Sequence, residues 1–163
     1  MRTPRNERAR QKNRAVDLIL WRHCDAEPGD DDLARPLTAK GMRQAHTMAQ
    51  WLLPRLPEDC RIAVSPAVRA QQTAAALGRT FETCAAMAPG ADAQALAELA
   101  GWPDAGGTTL LVGHQPTLGE LAARLVAHSN QGFHLRKGMA WWLGQRDGAI
   151  DAVVKAVMSA DFA

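Results

Sequence analysis

Three short stretches of this 163-residue chain carry side chains suited to phosphoryl chemistry: Arg22-His23, Ser65-Pro66 followed by Arg69, and Gly113-His114. An imidazole titrates near neutrality, so it can act at physiological pH as nucleophile, base or hydrogen-bond donor. A guanidinium stays charged and offers a planar fork of donors that matches the oxygens of a phosphoryl group. Two imidazoles and two guanidiniums brought to one point would hold a dianion and could attack it. Cys24, Cys60 and Cys84 form neither a CxxC pair nor an even framework, so neither a disulfide scaffold nor a zinc site is expected, and no metal or cofactor is called for.

The elements around these stretches explain how they could meet. Val16 to Trp21 is a short run rich in β-formers that reads as a buried strand ending at Arg22-His23. After an acidic loop over 27–36, Thr38 can cap a helix whose apolar positions Met42, Ala45, Met48, Ala49 and Leu52 follow helical spacing until Pro54 and Pro57. Arg61 to Val64 is a second strand. Ser65 is then expected as N-cap with Pro66 at the first helical position, and that helix runs to about Leu77 and stops at Gly78. Asp92 should cap a helix through Leu99. Thr109 to Val112 is a third strand closing at Gly113-His114, and a helix covers Thr117 to Ala127 with Leu118, Leu121, Leu125 and Val126 as its stripe. Met139 to Leu143 and Ala149 to Met158 read as strands joined at Asp147-Gly148. Strands alternating with helices imply a three-layer α/β/α sandwich with a mostly parallel central sheet. In such sheets ligands bind outside the carboxyl ends of the strands, where Arg22, His23, Arg69 and His114 all fall.

The blocks Trp21-Arg22-His23-Cys24-Asp25-Ala26, Arg35-Pro36-Leu37-Thr38 with Gly41, Ser65-Pro66-Ala67-Val68-Arg69-Ala70-Gln71-Gln72-Thr73 and Val112-Gly113-His114-Gln115-Pro116 resemble, in type and order, the motifs of the histidine phosphatase superfamily. Their order and the short length are most similar to its small SixA-type phosphohistidine phosphatase branch, over about residues 16–158. The resemblance implies a phosphoglycerate mutase-like fold and a metal-independent phosphatase in which His23 is the nucleophile. Arg22, Arg69 and His114 would bind the phosphoryl oxygens and neutralise the charge of a loose transition state. The ring nitrogen of His23 that does not attack must carry the proton and be held, commonly by a backbone carbonyl. Nearby arginines should disfavour protonation of His23, and a bound dianion should favour it at His114.

Two departures from the superfamily pattern bear on the substrate. Cys24 stands where glycine usually follows the Arg-His pair; a thiolate nucleophile there would need its own base, and His23 already fills the role. Residues 83–92 lack the glutamate that serves larger branches as proton donor. An alkoxide leaving group needs a proton and a protonated imidazole does not, so phosphohistidine suits this chain better than a sugar phosphate. The alternatives are a broad small-molecule phosphomonoesterase, or a non-catalytic module that binds phosphate or phosphoprotein. Asp25 is a candidate proton carrier or orienter, or an ion-pair partner of Arg22 or Arg35. Arg35 is expected to order the loop over the site or to be solvated. The partner is thus a phosphohistidine-bearing protein or a small phosphorylated substrate, with Arg136 and Lys137 either a positive rim or ordinary surface charge.

Composition bounds the remaining possibilities. The net charge of +2 conceals an uneven distribution: Arg2, Arg5, Arg8, Arg10, Lys12 and Arg14 face only Glu7 within residues 1–14, leaving the rest at −3. The basic balance therefore belongs to a tail expected to be solvated, and residues 15–163, a single domain, offer no case for nucleic-acid binding. No apolar run approaches the ~18 residues of a membrane span and the tail lacks a secretory core, so a cytoplasmic protein is expected. Alanine, at 31 residues, favours a helical layer that packs closely. His46, His128 and His134 fit no motif, and of the adjacent Trp141 and Trp142 at most one is expected in the core.

Overall fold

The computed structural model describes residues 16–145 and 149–163. The basic tail and the expected turn at Asp147-Gly148 lie outside them. Six strands, β1 (Val16–Arg22), β2 (Arg61–Val64), β3 (Glu82–Thr83), β4 (Gly107–Gly113), β5 (Ala140–Gln145) and β6 (Ala152–Met158), form one sheet in the order β3-β2-β4-β1-β5-β6. The first four in that order are parallel; β5 runs antiparallel to β1, and β6 antiparallel to β5. Among the described residues the α-helices are α1 (Ala39–Leu52), α2 (Val68–Ala75), α3 (Ala93–Ala100) and α4 (Thr117–Ala127).

Alternation along β1 explains the layers. Ile19 and Trp21 pack with Met48 and Leu52 of α1 and Ala70 and Ala74 of α2 on one face. Leu18 and Leu20 pack with Leu96 of α3 and Leu118 and Leu121 of α4 on the other. A strand covered on both faces must be apolar at consecutive positions, and Leu18 to Trp21 are. The adjacent tryptophans follow the same rule: Trp142 is buried in the first layer, while Trp141 is partly buried in the second, stacked on Phe133 with centroids 5.1 Å apart. Both therefore contribute to packing, because the sheet has no free face there.

The helix caps at Thr38 and Asp92 form as expected, accepting from Gly41 N–H and Gln94 N–H. The expected cap at Ser65 does not: α2 begins at Val68 with Ala67 before it, so Pro66 lies outside the helix. The Ser65 hydroxyl instead accepts from Ala67 N–H at 3.1 Å, a tight local turn that delays the helix. The regular helix also ends earlier, at Ala75, before Gly78 takes the left-handed conformation at φ +62°. β6 starts at Ala152, after an exposed Ile150. The two-residue β3 has no counterpart in the sequence pattern, since two exposed polar positions carry no periodicity.

Candidate active site

β2, β4 and β1 are neighbours, with Val64 opposite Val112 and Gly113 opposite Arg22, so their ends lie side by side. The ladder continues one bond further on each side: His23 N–H donates to Gly113 O and Ser65 N–H to Val112 O. Ser65, His114 and His23 thus emerge in a row at the carboxyl edge of the parallel strands, and α2 carries Arg69 over them.

Arg69 links the two imidazoles. Its Nε lies 3.4 Å from His23 Nε2, and its Nη2 lies 3.4 Å from His114 Nδ1; the ring centroids are 5.1 Å apart. Hydrogen-bond chemistry fixes both tautomers, because a guanidinium only donates and a carbonyl only accepts. His23 Nδ1 donates to Cys24 O at 2.8 Å, which leaves the lone pair on Nε2, facing Arg69. His114 Nε2 donates to Ser65 Oγ at 2.7 Å, which leaves its Nδ1 lone pair toward the same guanidinium. Both rings are therefore neutral and oriented.

Their environment keeps them neutral. Burial, followed by the charges of Arg69, Arg22 and Lys137, lowers His23 to about 4 despite the favourable bond to Cys24 O. Burial, then His23 and Arg69, lowers His114 to about 3. Arg22 completes the cluster. Its Nη1 donates to Leu135 O at 2.8 Å, while its Nε is buried without a hydrogen-bond partner among the described residues. Burial and Arg69 together hold Arg22 below its ordinary value. Two crowded guanidiniums with unspent donors would be stabilised by an anion between them.

Several residues hold this arrangement from behind. Thr73, fully buried on α2, accepts from Cys24 N–H at 3.0 Å and donates to Arg69 O at 2.8 Å, tying the loop after His23 to the helix that bears Arg69. Gly138 N–H donates to His23 O, and Trp21 Nε1–H donates to Gly138 O, which anchors the segment supplying Leu135 O. Gly41 lets α1 approach: a Cβ there would overlap the Asp25 carbonyl oxygen and lie 2.9 Å from its carbon.

The four central residues converge, whereas Asp25 and Arg35 do not touch them. Asp25 pairs with Lys137 at 3.0 Å and accepts from Thr38 Oγ1 at 2.8 Å, so the ion pair with Arg22 or Arg35, one of its two expected roles, does not form; the helix cap and the 135–139 segment reach it first. Those bonds hold its carboxyl below the usual range. Arg35 does order the loop, donating through Nε to Glu27 O and pairing with Asp32 at 2.9 Å. Lys137 is consequently engaged, and Arg136 is exposed. The residue overlooked in the sequence is Asp32. Its carboxylate lies 3.1 Å from Arg69 Nη2, and its carbonyl accepts from Arg69 Nη1 at 2.6 Å; the only sequence signal was its place three residues before Arg35. Cys24 is buried beside His23 and, chiefly through burial, raised to about 12, so it is a thiol. Among the described residues no group of three His, Cys, Asp or Glu could hold a metal ion, and no helix is long and apolar enough to cross a membrane.

Known proteins share the family and the fold of this chain. The model of the histidine phosphatase superfamily, branch 1, matches residues 18–104. Phosphohistidine phosphatase SixA of Escherichia coli strain K12 is 30% identical over 125 residues, 68% of this chain and 74% of that protein. A SixA homolog of Haemophilus influenzae is 32% identical over 131 residues, 71% and 80% of the respective lengths. The structure of the protein histidine phosphatase SixA complexed with tungstate aligns with a TM-score of 0.77 at 25% identity, over 89% of this chain and 97% of that one.

Proposed function

The chain belongs to the histidine phosphatase superfamily and is a phosphatase of its SixA-type branch, and we propose that it removes the phosphoryl group from phosphohistidine in a protein through a covalent intermediate on His23. One observation carries this reading: the Nε2 lone pair of a buried, neutral His23, fixed by the bond from Nδ1–H to Cys24 O, points into a cluster of Arg22, Arg69 and His114. In the first step that lone pair forms the N–P bond while the bond to the substrate nitrogen breaks and its electron pair stays on the departing imidazole. In the second, water attacks phosphorus, the pair returns to His23, and phosphate leaves. The guanidiniums and His114 bind the equatorial oxygens throughout, where positioning and electrostatics supply most of the acceleration.

The acid–base inventory supports a nitrogen leaving group. Asp25, two residues after His23, and Asp32, paired with Arg69, are held below the usual carboxylate range by hydrogen bonds from Thr38 and Lys137 and from Arg35 and Arg69, respectively. Neither is protonated at neutral pH, so neither can donate to an alkoxide, whereas protonated phosphohistidine needs no donor. The names of the two bacterial relatives favour the same substrate. The test is steady-state turnover of a phosphohistidine protein beside a panel of sugar phosphates and phosphoserine, with His23→Ala as control. The expected result is selective loss of phosphate from histidine, abolished in the variant. Equal turnover of sugar phosphates would favour a broad phosphomonoesterase, and binding without turnover a phosphate-binding module.

A further inference from the structure

We propose that the Asp32 carboxylate receives the leaving group, accepting a hydrogen bond from the ring N–H of a phosphohistidine substrate and so favouring nitrogen over oxygen leaving groups. The inference rests on the phosphohistidine reading above and adds a specificity residue to it.

Position is the first argument. Asp32 opens the 3-10 turn Asp32–Ala34 and reaches Arg69 of α2 through both its carboxylate and its carbonyl. The side chain of Arg69 is 5% exposed and that of Asp32 is 54% exposed, so the carboxylate stands at the mouth of a site whose floor is the two imidazoles. In-line displacement places the leaving group opposite the attacking nitrogen. With His23 on the buried side, the leaving imidazole projects outward, where Asp32 stands.

Its hydrogen-bonding capacity is the second argument. Oδ1 accepts from Arg35 and Oδ2 from Arg69, which uses one lone pair on each oxygen. An ionised carboxylate offers about four acceptor sites, so about two remain. Because both guanidiniums keep it anionic, Asp32 can accept a proton's hydrogen bond but has none to give. That distinguishes substrates. Reactive phosphohistidine carries its phosphoryl group on one ring nitrogen and a proton on the other. As His23 Nε2 bonds to phosphorus, the P–N pair returns to the first nitrogen and neutral imidazole departs with its N–H intact on the second. Asp32 accepts from that N–H before departure, which raises the share of substrate in the protonated, reactive form. No proton passes to Asp32. An aryl phosphate, leaving as phenolate, has no N–H for it.

Asp32→Ala and Asp32→Asn, made in the full chain, separate this role from simple support of Arg69. The measurements are kcat/KM for a chemically phosphorylated histidine peptide, kcat/KM for p-nitrophenyl phosphate, and inhibition by inorganic phosphate, with a thermal melt to verify folding. The peptide value is expected to fall about tenfold, the size of one charge-assisted hydrogen bond at a half-exposed site. The aryl phosphate value should fall by a clearly smaller factor than the peptide value, because only the lost support of Arg69 touches it, and phosphate inhibition should not weaken. Asp32→Glu should recover part of the loss. An equal fall on both substrates with weaker phosphate inhibition would overturn the proposal and leave the phosphohistidine reading standing. A wild-type protein that hydrolyses p-nitrophenyl phosphate but leaves the peptide intact would overturn that reading, and the role of Asp32 with it.

Discussion

Replacing Thr73 by valine removes one hydroxyl and almost no volume, which makes it a sharp probe of how His23, the proposed nucleophile, is held. The hydroxyl is fully buried and serves both Cys24 N–H, at 3.0 Å, and Arg69 O, at 2.8 Å. Valine would leave Cys24 N–H buried and unsatisfied, a loss of about 2 kcal/mol. For a domain of this length that lowers the melting temperature by about 4–8 °C. Activity should suffer beyond the stability loss, because the carbonyl of the same residue, Cys24, fixes the His23 tautomer. A loosened peptide lets the imidazole turn, so kcat should fall more than KM changes, and Thr73→Ser should restore both properties. Calorimetry together with turnover of a phosphohistidine peptide, at temperatures well below both melts, reads the two effects separately. A valine variant melting within about 1 °C of wild type with unchanged kcat would refute the assignment of Thr73 as the tie between the His23 loop and the helix.

Three further outcomes follow from the same contacts. Gly41→Ala, which in an open helix would gain about 1 kcal/mol, should instead lower the urea midpoint, because its Cβ overlaps the Asp25 backbone; a raised midpoint would contradict the close approach of α1. His23 and His114, lowered to about 4 and about 3 from 6.5, bind fewer protons folded than unfolded, so stability should rise with pH between about 4 and 6.5 and level off above. Saturating phosphate, by favouring a protonated His114, should flatten that slope in melts at pH 4.5, 5.5 and 7. A His23→Asn, His114→Asn double variant should show less slope than wild type, and an identical slope would remove these histidines as its source. Cys24, a buried thiol at about 12, should resist iodoacetamide at pH 8 in the folded protein, and Cys24→Ala should keep most turnover; inactivation in step with alkylation at Cys24 would argue otherwise.

The sequence made the central cluster legible because each member follows a strand whose apolar run is unmistakable. Leu18 to Trp21, Ile62 to Val64 and Leu110 to Val112 announce a buried parallel sheet, and a parallel sheet collects its ligands at one edge. Local signals also located α1, α3 and α4, through the caps at Thr38 and Asp92 and the apolar stripe of Leu118 and Leu121. What sequence could not supply was pairing among charges. Asp25 had several possible partners, and only the fold decides that Lys137, 112 residues away, reaches it. Asp32 sat in a run of three aspartates that reads as solvated loop, yet Arg69 selects that one carboxylate from across the site. Ser65 looked like a helix cap because serine before proline commonly is one; its hydroxyl is taken by Ala67 N–H and by His114.

The most direct test is to trap the covalent intermediate. Wild-type protein is mixed with a radiolabelled phosphohistidine protein, quenched within milliseconds, and mapped for label by peptide mass spectrometry. The expected result is one phosphoryl group on His23, stable to alkali and lost in acid, which appears at a rate no slower than turnover and is absent from His23→Ala. Rapid turnover with no label on the wild-type chain, or full activity in His23→Ala, would contradict nucleophilic catalysis by this residue.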